Sequence, residues 1–112
     1  MATSASTIAY LLEQFADVET VSARKMFGEY ALYCDGKVVA LVCDDQLFIK
    51  ITSDGTAFAE GVQEGVPYPG AKPWNLIDGD RWEDRDWLGE LIKITAASLP
   101  APKKKLPKKN KQ

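Results

Sequence analysis

The sequence predicts an α+β fold whose antiparallel sheet has about five strands, in the order helix, strand meander, short helix, strand, helix. Two observations carry this prediction. Apolar residues recur at helical spacing near both ends of the chain, and short alternating segments joined by two-residue turns lie between them. At 112 residues the chain suits one domain with a modest core. We place this domain at residues 1–99 and a disordered lysine-rich tail at residues 100–112.

The first helix is predicted over "STIAYLLEQFAD", where Ile8, Leu11, Leu12 and Phe15 fall at i, i+3, i+4 and i+7. This spacing puts the four apolar side chains on one stripe that can face a core. Ser6 is a suitable N-cap, because its hydroxyl can accept a hydrogen bond from a free backbone N–H of the first turn.

The central part of the chain predicts four strands, at Val21–Met26, Glu29–Cys34, Lys37–Cys43 and Gln46–Ile51. Asp35-Gly36 and Asp44-Asp45 join the last three strands. Asp-Gly is a strong hairpin signal, since a type I′ turn needs positive φ at both central residues, and Asp-Asp is a weaker form of it. With two-residue turns, Cys34 pairs with Lys37 and Cys43 pairs with Gln46.

Alternation sorts the side chains of these strands onto two faces, and both faces are apolar. The predicted core face carries Glu29, Ala31, Tyr33, Val38, Ala40, Val42, Leu47, Ile49 and Ile51. The second face carries Tyr30, Leu32, Cys34, Val39, Leu41, Cys43 and Phe48, rimmed by Lys37, Gln46 and Lys50. A solvated face would be more polar, so the second face is predicted to be covered. The residues predicted to bind a second copy or a protein partner are Tyr30, Leu32, Val39, Leu41 and Phe48.

The second half of the chain predicts a short helix within Ser53–Gly65, a strand at "PWNLID" and a last helix over "EDRDWLGELIKITAASLP". Between them "VPYPGAKPW" is irregular, because its prolines remove backbone donors and disfavour helix at the preceding residues. Lys72 and Trp74 in this segment belong either to a rigid turn or to a recognition loop. The acidic residues around the start of the last helix favour helix capping over a cation site.

The composition removes most catalytic chemistry. The chain has no histidine, and its two cysteines fall short of the four thiolates that a cysteine-only zinc site needs. In the predicted register Cys34 and Cys43 lie about 20 Å apart, too far for a disulfide. We therefore predict reduced structural cysteines and a protein that is not an enzyme, with no cofactor, metal site or catalytic residue.

The charge is unevenly distributed along the chain. All 16 acidic residues precede the tail, whereas the tail adds the lysines Lys103, Lys104, Lys105, Lys108, Lys109 and Lys111. An acidic body repels a phosphate backbone, so only the tail is a candidate for contact with nucleic acid, which makes a nucleic-acid-associated regulator the alternative function, or with an acidic protein partner. The tail has two other interpretations: a solubilising end, or a segment that folds back on the acidic body. No apolar run reaches the about 18 residues of a membrane span, and no signal-peptide pattern is present, which together predict a cytoplasmic protein.

Two segments, "ARKMFGEYALYCDGKVVALVCDDQLFIK" and "PYPGAKPW", resemble the N-terminal domain family of TfoX/Sxy, the bacterial competence regulators. The resemblance covers about residues 5 to 99. Its motif positions are Arg24, Lys25, Met26, Phe27, Gly28, Pro69, Gly70, Lys72 and Trp74. It implies a two-layer fold with the helices on one face of the sheet, and a regulatory interaction module rather than an enzyme. In longer relatives the domain serves regulators of DNA-uptake genes that act with the cyclic-AMP receptor protein.

Overall fold

The computed structural model describes residues 3–18, 20–26 and 28–100. In chain order the elements are α1 Ala5–Gln14, β1 Val21–Met26, β2 Glu29–Cys34, β3 Lys37–Cys43, β4 Gln46–Ile49, α2 Ser53–Phe58, β5 Gln63–Gly65, β6 Trp74–Ile77, α3 Gly79–Trp82 and α4 Arg85–Ser98. Within this part of the chain the strands form one antiparallel sheet in the order β1-β2-β3-β4-β6-β5. The predicted α+β fold is confirmed. The tail lysines lie outside the described residues.

Three elements differ from the prediction. Strand β5 was not expected, because Gln63–Gly65 has no apolar alternation; it forms by pairing with β6 across the proline-rich loop. The N-cap of α1 is Ser4 rather than Ser6, and the predicted last helix is divided into α3 and α4. The division follows from capping, since the Asp78 carboxylate accepts from Arg81 N and the Asp84 carboxylate accepts from Trp87 N.

Both predicted two-residue turns are confirmed. Asp35 and Gly36 have φ angles of 55° and 78°, and Asp44 and Asp45 have φ angles of 53° and 59°. Cys34 pairs with Lys37 and Cys43 pairs with Gln46, as the turn lengths require. The short polar side chain of aspartate tolerates the left-handed conformation, which explains why Asp44-Asp45 turns as Asp-Gly does.

The pairing of β2 with β3 contains a β-bulge that the sequence did not reveal. Tyr33 pairs with Val38, whereas Leu32 pairs with Ala40, so Val39 is an extra residue on β3. The β2 residues up to Leu32 therefore pair with β3 one position away from the predicted register. A shift of one residue exchanges the two faces of a strand. The predicted face assignment of β2 is therefore wrong, although that of β4 and of β3 after the bulge is right.

The main hydrophobic core lies between one face of the sheet and the helices. Ile8, Leu11 and Phe15 of α1 and Leu88, Leu91 and Ile92 of α4 pack there against the sheet residues Leu32, Cys34, Val39, Ala40, Val42, Leu47 and Ile49. The opposite face has a separate cluster formed by Ala31, Leu41, Cys43 and Phe48, with Tyr33, Trp74 and Leu76 beside it. No residue of a described helix belongs to that second cluster, so the described helices cover one face and leave the other without a helix. We call this other surface the open face.

The start of α1 is tied to the β3–β4 turn by the Asp45 carboxylate. Its Oδ1 accepts from the backbone N–H of Ser4 at 2.9 Å and from the Thr7 hydroxyl at 2.7 Å. These bonds favour the charged form and lower the pKa of Asp45 below its ordinary value. The negative charge of this exposed carboxylate also interacts favourably with the positive N-terminal end of the α1 dipole.

We expect Asp45→Asn to flatten the acid side of the stability profile. Because the folded-state pKa is lowered, the Asp45 carboxylate stabilises the fold above its ordinary unfolded value, and this contribution disappears as the pH falls through the lowered value. Urea unfolding at a series of pH values from neutral to strongly acid measures the slope. Asp35→Asn, the same change in the other hairpin turn, is the control and should leave the slope as it is. Parallel profiles for wild type and Asp45→Asn would contradict the assignment.

Candidate binding cleft on the open face

A cleft of about 620 Å³ lies on the open face, between residues of β1, β2 and β3 and the β5–β6 loop. Volumes of about 300–1,000 Å³ are typical of small-molecule sites in proteins. The side chains that line it are Met26, Glu29, Tyr30, Val38, Leu41, Cys43, Lys50, Pro67, Tyr68 and Trp74. Eight of these ten residues are apolar or aromatic.

The floor of the cleft comes from β3. Leu41 and Cys43 are each 8% exposed, and Val38 lies on the same face because the bulge at Val39 resets the alternation. Ala31 pairs with Leu41 and adds little bulk to this face. Small and branched side chains thus leave a concave apolar surface between the aromatic residues.

One wall of the cleft comes from the loop between β5 and β6. Tyr68 O accepts from Ala71 N at 3.0 Å, and Gly70 has a φ angle of 88°, so Tyr68 to Ala71 form a tight turn. Pro69 followed by Gly70 is the preferred pair for the central positions of a type II turn. This turn leaves Tyr68 54% exposed at the edge of the cleft, and the chain then returns to the sheet at Trp74.

The cleft contains one negative and one positive side chain, and their environments differ. Glu29 Oε1 accepts from Thr3 Oγ1 at 2.6 Å and from Asp44 N at 3.0 Å, so this carboxylate is held by the protein. Lys50 Nζ lies 5.9 Å from the centroid of the Trp74 ring. Among the residues that the structure describes, no carboxylate lies within ion-pair distance of Lys50.

The thiol of Cys43 is a neutral part of the floor. Burial raises the pKa of Cys43, and the nearby negative charges of Glu29 and Asp44 raise it further. A thiol that stays protonated at neutral pH is a poor nucleophile and a poor metal ligand. The described residues also contain no group of three or more side chains placed to hold a metal ion. The cleft is therefore equipped for binding by apolar contact and one cation.

The five residues predicted to bind a partner do not share one surface of the chain. Leu32 and Val39 are 0% exposed in the main core, and Tyr30 packs against that core while it also borders the cleft. Leu41 and Phe48 do lie on the open face. Phe48 is nevertheless buried under β5, where a Cβ built on Gly65 would lie 3.1 Å from the Phe48 ring. The β-bulge is the physical cause of this division.

The prediction of reduced cysteines is confirmed, because Cys34 and Cys43 are both free and buried. Contrary to the prediction, the two cysteines do not lie on the same face of the sheet. Cys34 belongs to the main core, and Cys43 belongs to the cluster on the open face.

The family-motif residues frame the cleft from two sides. Met26 lines the cleft. Gly28 has a φ angle of 83°, a backbone conformation that residues with a side chain rarely adopt. Arg24 and Lys25 are exposed on β1, where the Arg24 guanidinium lies 5.6 Å from the centroid of the Tyr33 ring. Pro69, Gly70 and Lys72 are exposed in the loop that leads to Trp74. Phe27 lies outside the described residues, as do Lys103, Lys104, Lys105, Lys108, Lys109 and Lys111.

Sequence reasoning missed several residues of the cleft. Val38 was assigned to the core face, and the signal that could have moved it, a bulge at Val39, is not visible in a run of apolar residues. Pro67 and Tyr68 carried a signal in the "PYPG" turn, but nothing in the sequence related that turn to β3. In the described residues no helix has the length and apolar character needed to cross a bilayer.

Comparisons with known proteins give one family model and a similar protein. The family model of the TfoX N-terminal domain matches residues 13–98. The chain is also similar to a protein of Spirochaeta aurantia described as an uncharacterized 12.7 kDa protein in the trpE 5′ region. The two are 45% identical over 103 residues, which cover 92% of this chain and 89% of that protein. Residues 13–98 include the whole sheet and both segments that line the cleft.

Proposed function

This chain belongs to the TfoX N-terminal domain family, and from that premise we propose that it is a non-enzymatic regulatory module that acts by pairing with a second copy of itself. Pairing uses the open face, around the mouth of the cleft. The acting residues are Met26 and Tyr68, in place of the predicted set that the bulge divides.

The observation that carries this proposal is the exposure of large apolar side chains on the face that the described helices leave open. Tyr68 is 54% exposed and Met26 39%, and both border an apolar cleft. A contiguous apolar patch on a small protein usually marks an interaction surface. The helices instead use their apolar sides within the main core.

A second copy suits this face because its charges are mixed. A two-fold interface brings the same patch of both subunits together, so each charged group needs a partner on the same surface. For pairing, the open face provides Arg24 as a cation and Glu29 as an anion. A face of a single sign would repel its own copy.

The test is the mass in solution of wild type and of a matched pair of variants. Wild type is expected to show about twice the chain mass of 12.4 kDa by light scattering in the micromolar range. Tyr68→Lys adds a charge to the apolar patch and is expected to give the mass of one chain. Tyr10→Lys makes the same change on α1, where Tyr10 is also exposed, and should leave the mass doubled.

Two results would contradict pairing through this face. The first is a wild-type mass of one chain at every concentration up to the millimolar range. The second is an equal response of the two tyrosine variants, which would place the contact elsewhere. Circular dichroism of both variants confirms that each has kept its fold.

A further inference from the structure

We infer that the cleft on the open face binds a small amphipathic anion, with a carboxylate at Lys50 and a flat apolar body along β3. The inference goes beyond the proposed function, because every residue that lines the cleft belongs to one chain. It rests on the volume of the cleft, the position of the two charges and the aromatic residues between them.

The volume and lining exclude several other ligand classes. About 620 Å³ is the size of a site for a small organic molecule. Met26, Val38, Leu41 and Pro67 cannot hydrogen-bond and the Cys43 thiol does so only weakly, so a sugar would leave the hydroxyls that face this part of the lining unpaired. A polyphosphate would meet a single lysine. The cleft therefore favours an apolar body that carries one charged group.

Lys50 is the reason why the ligand is expected to carry a negative charge. Its backbone N–H donates to Val39 O at 2.9 Å, which fixes the residue beside the bulge at the end of β4. Its ammonium lies 5.9 Å from the Trp74 ring centroid and has no ion pair among the described residues. An ammonium next to an apolar cleft attracts a carboxylate, and the low polarity of the surroundings strengthens the contact.

Glu29 fixes the direction of the ligand. Lys50 adjoins the Val39 end of β3, whereas Glu29 lies near Cys43 at the other end and raises the pKa of that thiol. Val38 and Cys43 are five positions apart on β3, which corresponds to at most about 16 Å. A carboxylate at the Glu29 end would meet a fixed negative charge, so the charged group lies at Lys50 and the apolar body points towards Cys43.

Three aromatic side chains favour a flat body. Tyr30, Tyr68 and Trp74 all line the cleft, and Trp74 also packs against the cluster of the open face. Aromatic rings gain contact area and a favourable offset or edge-to-face geometry when another ring lies between them. An aryl carboxylate therefore meets both requirements, the cation and the aromatic walls.

The test uses two probes that differ in charge alone, 2-naphthoate and 2-naphthamide. Titration calorimetry with wild type is expected to show naphthoate binding about tenfold or more tighter than naphthamide binding, since a contact between a carboxylate and an ammonium contributes at least that factor. Lys50→Met keeps the aliphatic stem and removes the charge. This variant should reduce naphthoate affinity to the naphthamide level and leave naphthamide unchanged.

Three further measurements make the result specific. Lys50→Arg keeps a cation and should retain naphthoate binding, whereas Lys93→Met on α4 is the matched control and should behave as wild type. Amide chemical shifts in a two-dimensional NMR spectrum should change at Leu41 and Cys43 and not along α4. Light scattering of Lys50→Met should give the same mass as wild type, which separates ligand binding from pairing.

The inference is overturned if neither probe binds, or if both probes bind with the same affinity. Shift changes confined to the helices, or an equal loss of naphthoate affinity in Lys93→Met, would also overturn it. A wild-type chain that binds naphthoate and stays at the mass of one chain would remove the proposed pairing and leave the ligand site intact.

Discussion

Leu32→Ala is expected to lower the free energy of unfolding by about 2–5 kcal/mol, the range observed when a fully buried leucine is truncated. Leu32 is 0% exposed and belongs to the main core together with the residues of α1 and α4. Truncation removes apolar contacts and leaves a cavity that close-packed neighbours fill only in part. Urea unfolding followed by circular dichroism measures the loss.

This substitution distinguishes the observed register from the regular one. In a regular hairpin Leu32 would lie on the open face, and its truncation would weaken contact with a partner rather than folding. Leu76→Ala makes the same change on the open face, where the side chain is half-buried, and is expected to cost clearly less. A Leu32→Ala cost below that of Leu76→Ala would contradict the bulge.

Lys37→Met is expected to cost about 1–3 kcal/mol of folding free energy, because a charged donor to two carbonyl groups is lost. Lys37 Nζ donates to Ala96 O at 2.7 Å and to Leu99 O at 3.1 Å, at the C-terminal end of α4. The last carbonyl groups of a helix lack their i+4 donors, and Ala96 O accepts one long bond from Leu99 N at 3.3 Å. A cation at this end also interacts favourably with the helix dipole. Methionine retains the apolar stem, so packing changes little.

The control for Lys37 is Lys93→Met. Lys93 forms an exposed ion pair with Glu90 on α4, at 3.7 Å, and such pairs contribute little. Thermal unfolding of the two variants should therefore give a clear decrease in midpoint for Lys37→Met and almost none for Lys93→Met. Equal midpoints would show that the two hydrogen bonds at the end of α4 do not stabilise the fold.

Much of the meander could be predicted because the residue types in its turns indicate the turn geometry. Asp35-Gly36 and Asp44-Asp45 fix two-residue loops, and the loops fix which residues face each other at the turn. The bulge could not be predicted, because Val38, Val39 and Ala40 are all apolar. With or without an extra residue in that run, apolar side chains lie on both faces of the sheet. The pattern therefore does not distinguish a regular strand from a bulged one.

The candidate site was predicted in part for the same reason. Leu41 was placed on the correct face because β3 after the bulge keeps the register set by the second turn, and Lys50 was placed beside it. Tyr30 and Leu32 were misplaced because they lie on β2 before the bulge. Strand β5 was not predicted, because what matters there is that Gly65 has no side chain. The backbone can therefore approach Phe48 closely, and no apolar pattern signals this.

The hydrogen bonds of Thr3 bear on the order of folding events. Thr3 Oγ1 donates to Glu29 Oε1 and to Val42 O, the second of these across 39 positions of sequence, whereas the hairpins β2–β3 and β3–β4 close over two-residue turns. Contacts between distant positions must overcome a larger loop-closure entropy than local ones. We therefore expect the meander to form first and the N-terminal segment to dock after the transition state. Weakening that docking would accelerate unfolding and leave the folding rate nearly unchanged.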